Sequence, residues 1–135
     1  MKIKKKKFMY ICCDFDGTLC EHVYPQVGEE VPKAFDYCKK YQEAGIKLIL
    51  FTMRSGKELE EAVEWCKERG LEFYGINTNP TQKFWTKSPK AYGNLYIDDA
   101  AAGCPLIKED GKKAYVDWDK INEIVVERIK ENELN

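Results

Sequence analysis

The chain has 135 residues, 44% of them hydrophobic, and this size and composition predict a single globular domain over residues 1–135. Lys and Arg total 22 and Asp and Glu total 23, so the net charge of −1 gives no general basis for binding nucleic acid or a membrane. Five lysines in residues 1–7 predict a basic, solvated tail. No apolar stretch reaches the ~20 residues that span a bilayer and no signal peptide is evident, so we expect a cytoplasmic protein with reduced cysteines.

Short apolar runs alternate with helical patterns along the chain. The apolar runs cover residues 8–13, 46–51, 71–76 and 95–97. Their continuous hydrophobicity is typical of strands covered on both faces, as in a parallel sheet. Amphipathic spacing predicts helices at 32–44, 56–69 and 119–130. This order predicts an α/β fold of the Rossmann-like type, with a central parallel sheet flanked by helices.

Polar residues follow three of the predicted strands directly. They are Asp14, Thr52 and the pair Asp98 and Asp99. In open α/β sheets the ligand lies beyond the carboxyl ends of the strands, so the sequence predicts a functional site there.

The segment Asp14-Phe15-Asp16-Gly17-Thr18 carries the most specific chemistry. One of two such carboxylates can attack phosphorus while the other donates a proton to the leaving group and then activates water. A divalent cation would relieve the repulsion between these groups and a phosphate. The alternative interpretation is an ordinary acidic turn, in which Gly17 supplies the unusual backbone.

A phosphate also needs donors and a cationic group. The hydroxyl of Thr52 can hold a phosphate oxygen, although a helix-capping role is the alternative. Ser88 and Pro89 predict the start of a short helix that has Lys90 in its first turn. The helix dipole disfavours a lysine there unless an anion binds, so we rank Lys90 first and Lys87 second as the phosphate-binding lysine.

Taken in order, these features resemble the four motifs of the haloacid-dehalogenase-like (HAD) phosphohydrolase superfamily. The matching segments are Asp14 to Leu19, the strand that ends in Thr52, the lysine, and Ile97-Asp98-Asp99. The resemblance implies that Asp14 is a nucleophile that forms an aspartyl-phosphate. It implies that Asp16 is the general acid and base, and that its backbone carbonyl binds Mg²⁺.

The same resemblance assigns the remaining groups. Thr52 and Lys90 would bind phosphate, and Asp98, Asp99 or both would complete the metal shell around Asp14. The intervals 19–32 and 77–89 are too short for the cap domain that most members carry, so the chain resembles a small capless member.

Two further residues are candidates for substrate contact. His22 lies in a stretch, with Glu21 and Tyr24, that could form a short flap over the site; a solvent-facing loop histidine is the alternative. Arg54 could contact a phosphate or a substrate carboxylate, and a surface ion pair is the alternative.

The resulting hypothesis is a Mg²⁺-dependent phosphomonoester hydrolase for a small phosphorylated substrate. One alternative is a nucleotidase or polynucleotide-end phosphatase, because Phe84, Trp85 and Tyr92 could stack on bases. Another is a non-catalytic phosphate-binding module of the same fold. A neighbouring subunit in an oligomer could partly close a capless site.

Overall fold

The structure, a computed structural model, describes residues 9–134; the basic run at 1–7 lies outside them. The strands are β1 (Tyr10–Cys13), β2 (Lys47–Leu50), β3 (Gly75–Ile76), β4 (Leu95–Ile97), β5 (Leu106–Ile107) and β6 (Tyr115–Val116). The helices are α1 (Ala34–Glu43), α2 (Gly56–Glu68) and α3 (Trp118–Leu134), and a 3₁₀ turn spans Gln82–Phe84.

The main sheet is parallel, in the order β3-β2-β1-β4, and β5 pairs with β6 in a separate antiparallel ribbon. Cys13 at the end of β1 is level with Leu50 at the end of β2 and Ile97 at the end of β4. The residues that follow these three strands therefore emerge side by side at one edge. The predicted α/β fold, a parallel sheet flanked by helices, is confirmed at this level.

The two faces of the sheet are covered differently. Ile11 and Cys13 belong to the large core that all three helices share, whereas Cys12 belongs to a small second cluster. Residues 77–94, which we call the strap, run across this second face and connect β3 to β4. A crossover to the far side of β1 must pass over the face opposite α1 and α2, since such connections are right-handed. The strap achieves this without a regular α-helix.

The predicted strand at 71–76 was wrong in extent, because only Gly75 and Ile76 pair with β2. The amide of Leu71 donates instead to the carbonyl of Cys66, 3.0 Å away, and so closes the last turn of α2. An amide used for this C-terminal cap is not available for a sheet ladder.

The predicted short helix at Lys90 was also wrong. The Ser88 hydroxyl does accept from the Lys90 amide, at 3.2 Å, but no helix follows. Gln82 is the reason, because its side-chain amide donates to the carbonyls of Ser88 and Lys90 and accepts from the amide of Tyr92. These backbone groups are thereby fixed in an irregular path.

All six cysteines lie in the described part of the chain, where they are free, and five are buried. Among residues 9–134, no helix is both long and apolar enough to cross a membrane.

Candidate active site

Three carboxylates converge at the edge where β1 and β4 end. Asp14, Asp98 and Asp99 each offer one oxygen, and these atoms all lie within 4.8 Å of one another. We call these residues the acidic cluster. The amide of Asp14 donates to the carbonyl of Ile97 at 2.9 Å, so the sheet ladder itself brings the two strand ends together.

Thr18 forms hydrogen bonds with two members of the acidic cluster. Its role was not predicted from the sequence. Its fully buried hydroxyl donates to Oδ2 of Asp14 at 3.0 Å and accepts from the amide of Asp99 at 3.3 Å. Its own carbonyl accepts from Nε1 of Trp118 at 2.8 Å. Thr18 therefore connects the β1 and β4 sides of the site to the start of α3.

Gly17 lets the chain approach this closely. Its φ of +82° lies in the left-handed region, and a Cβ at this position would collide with the carboxylate of Asp99. The turn at residues 14–18 therefore depends on a glycine at position 17 to pack against Asp99.

The electrostatics of the cluster are unfavourable for a bare set of carboxylates. Burial, then a hydrogen bond with Asp99 and the charge of Asp98, raise the pKa of Asp14 to about 8, although the Thr18 hydroxyl acts in the opposite direction. Burial also raises the pKa of Asp99. A cation between these groups would stabilise their charged forms, and so oppose both the effect of burial and the repulsion between them.

The donor set fits a hard divalent cation. Mg²⁺ binds oxygen ligands at about 2.1 Å in an octahedron, so opposite ligands are about 4.2 Å apart. The oxygens of the acidic cluster, within 4.8 Å of one another, need only small adjustments to share one ion. Asp14, Asp98 and Asp99 are the residues that could hold it.

Thr52 lies beyond β2, next to the end of β1. Its amide donates to Oδ1 of Asn77 at 2.8 Å, and its hydroxyl accepts from the amide of Arg54 at 3.1 Å. Helix α2 begins later, at Gly56, with Ser55 at its N-cap, so Thr52 does not cap that helix.

Asp16 does not join the acidic cluster. Both of its oxygens accept from Arg54, at 2.9 Å and 2.8 Å, and the Arg54 side chain is only 1% exposed. The ion pair expected for Arg54 as an alternative is present, but it is buried rather than on the surface.

Residues 21–30 form a loop that we call the flap. Its two ends are joined by a hydrogen bond of 2.8 Å from the amide of Glu21 to the carbonyl of Glu29. His22 is partly buried, and it is among the groups that lower the pKa of Asp99 against the larger effect of burial. The flap and Trp65 also border an open cavity of about 490 Å³.

The two candidate lysines occupy different places on the strap. Lys90 Nζ lies 5.1 Å from the centre of the Tyr96 ring, and its charge lowers the pKa of Cys12 against the larger effect of burial. Lys87 instead borders a cavity of about 330 Å³ enclosed by the strap itself.

The candidate stacking aromatics lie away from the acidic cluster. Phe84 and Trp85 are 80% and 65% exposed, and Trp85 packs edge-on against Tyr92, which contacts Tyr10. Tyr10 begins β1 and Asp14 follows its end, a separation of about 13 Å along the strand at about 3.3 Å per residue.

Comparisons with protein-family models and with curated proteins give no match. Among solved structures, the chain is similar to a conserved protein coded by a locus from Bacteroides thetaiotaomicron. The identity is 39% and the TM-score 0.76, over 90% of this chain and 93% of the other. The two chains belong to one family.

The similarity covers nearly all of both chains. The Bacteroides protein and this chain therefore share the whole α/β fold rather than a single βαβ unit. The description of the relative as a conserved protein names no activity.

Proposed function

We propose that the chain is a Mg²⁺-dependent phosphomonoester hydrolase of the HAD type, with Asp14 as the nucleophile. The observation that carries the proposal is the acidic cluster: a partly buried carboxylate at the end of the central strand, with a pKa raised to about 8 and two more carboxylates beside it. A structural role gives no reason for such a costly arrangement, whereas a cation and a phosphate do.

The proposed reaction has two steps. An oxygen of Asp14 attacks phosphorus, the bond to the leaving oxygen breaks, and Asp16 donates a proton to that oxygen. Water then attacks phosphorus and loses a proton to Asp16, the bond to Asp14 breaks, and phosphate leaves. A bound Mg²⁺ would supply charge neutralisation and orientation of the phosphate. The Thr18 hydroxyl, which donates to Oδ2 of Asp14, holds that carboxylate in place.

Lys90 is the favoured phosphate-binding lysine. It lies near Cys12 and Tyr96, each two residues before a member of the acidic cluster on the same side of its strand. Thr52 supplies a hydroxyl and His22 an imidazole from the neighbouring strand end and the flap.

Hydrolysis of an aryl phosphate with Mg²⁺, compared with the same assay in EDTA, tests the proposal. We expect D14N to lose at least about 10³-fold in kcat, the scale on which a nucleophile matters. Equal rates for wild type and D14N would refute it and favour a non-catalytic phosphate-binding module.

Two alanine variants test which lysine binds the phosphate. We expect K90A to raise KM about 10-fold or more, as loss of a charge-assisted contact does, and K87A to leave it within about 2-fold. The reverse result would assign the role to Lys87.

A further inference from the structure

Arg54 uses its entire hydrogen-bonding capacity inside the protein. Two donors go to Asp16, and the others go to the carbonyls of Pro25 at 3.1 Å, Gln26 at 2.7 Å and Glu58 at 3.3 Å. A guanidinium has five N–H donors, so none is left for a substrate anion in this arrangement. The expectation that Arg54 contacts a phosphate therefore gives way to a different role.

Aromatic rings enclose the same guanidinium. Its carbon lies 5.0 Å from the ring centre of Phe15 and 5.1 Å from that of Tyr24. Phe15 lies between Asp14 and Asp16 in the sequence, and Tyr24 belongs to the flap. Arg54 thus contacts both the turn at residues 14–18 and the flap, through aromatic contacts as well as hydrogen bonds.

The pairing with Asp16 restricts what that carboxyl group can do. A general acid needs one oxygen free to carry a proton and to face the leaving group. Here both oxygens accept from Arg54, so Asp16 cannot protonate a leaving group until it rotates away from this fork. Rotation would leave a buried guanidinium without its counter-charge, unless Arg54 moves as well.

We propose that Arg54 is a positioning residue that links the orientation of Asp16 to the position of the flap; this rests on the proposed function. Two of its contacts hold the carbonyls of Pro25 and Gln26, so displacement of the flap loosens Arg54, and release of Asp16 loosens the flap. The coupling is reciprocal, as any linkage between two sites must be. Substrate that displaces the flap would therefore also free Asp16 for proton transfer.

Hydrogen exchange tests the coupling without any assay of activity. The amides of Glu21 and Gln26 report on the flap, because each donates to another flap carbonyl. We expect D16N to speed their exchange about 10-fold, which corresponds to loss of about 1.4 kcal/mol of local stability. D119N is the matched control, since Asp119 also pairs with a cation, Lys33, but on the exposed surface; there we expect wild-type exchange in the flap.

Unchanged flap exchange in D16N, with fast exchange in R54K, would mean that Arg54 supports the flap independently of Asp16, and would overturn the proposal. Flap exchange that speeds up equally in D119N and D16N would also overturn the proposal. These outcomes do not depend on whether the chain hydrolyses phosphate esters.

Kinetics with two leaving groups provide the second test. Because only a poor leaving group needs a proton, R54K, which loosens the hold on Asp16, should change kcat about 10-fold or more for an alkyl phosphate and less than about 3-fold for 4-nitrophenyl phosphate. KM should stay within about 3-fold for both. An equal change in kcat for the two substrates would refute a role through Asp16. If wild type and D14N are both inactive, the proposed function fails and hydrogen exchange alone decides the coupling.

Discussion

Replacement of Asp14 by Asn should make the protein more stable, and the gain should grow with pH. The pKa of Asp14 is raised to about 8 in the folded protein, first by burial and then by its carboxyl neighbours, from an ordinary 3.8. The folded state therefore binds this proton more tightly than the unfolded state does. Between about pH 4 and pH 8, the free energy of unfolding falls as pH rises, because the unfolded state releases this proton in that range while the folded state keeps it.

The size of the effect follows from the two pKa values. The interval between 3.8 and about 8 corresponds to a limit of about 6 kcal/mol, at about 1.4 kcal/mol for each pH unit. Asp14 is not completely enclosed, and water and relaxation screen its charge, so we expect about half of this, or about 3 kcal/mol. The D14N variant cannot ionise, and its side-chain oxygen still accepts from the Thr18 hydroxyl.

Urea unfolding in EDTA, from pH 4.5 to 8.5, measures this difference. The two proteins should have nearly equal stability at the acid end and differ by about 3 kcal/mol at the alkaline end. D119N is a control of opposite sign, because Lys33 and Tyr37 lower the pKa of Asp119 and its contribution is present above pH 4 and lost below. A stability gap between wild type and D14N that does not change with pH would refute the reasoning.

Three further outcomes can be measured by thermal or urea unfolding. Mg²⁺ at 100 times its Kd should add about 2.7 kcal/mol to the stability of wild type, and D99N should abolish most of this gain; equal gains would place the ion elsewhere. T18V should cost about 1–3 kcal/mol because it leaves buried groups of the acidic cluster without a partner, whereas T18S should cost less than T18V. G17A should cost about 2 kcal/mol or more through strain and collision with Asp99, whereas G45A, at a left-handed position with open space, should cost only about 1 kcal/mol.

The sequence was most informative where local pattern and burial agree. The strands β1, β2 and β4 are continuous apolar runs because both faces of the sheet are covered, and the ends of β1 and β4 mark the acidic cluster without reference to distant contacts. The helices likewise begin and end near the predicted positions. A parallel sheet brings its strand ends to one edge, so Asp14 and Asp98 could be paired from topology alone.

What could not be predicted depends on partners that are distant in sequence. Gln82 prevents a helix at Lys90 through bonds to three backbone groups, and nothing near Ser88 indicates this. Arg54 meets Asp16 across 38 positions, so its role was open between an anion contact and an ion pair. Thr18 could have been found, because a hydroxyl four residues after Asp14, in a turn that reverses the chain, is well placed to bond back to it.

The hydrogen bonds from Arg54 to the flap all go to main-chain carbonyls, those of Pro25 and Gln26. Any amino acid at Gln26 presents the same carbonyl to Arg54, so the identity of that side chain is independent of the anchor. Val23, which is 46% exposed, is similarly free of that contact. These positions can therefore be randomised while the turn at residues 14–18 and its link to the flap through Arg54 stay constant. On the proposed function, such a library would alter substrate preference without altering the reacting groups.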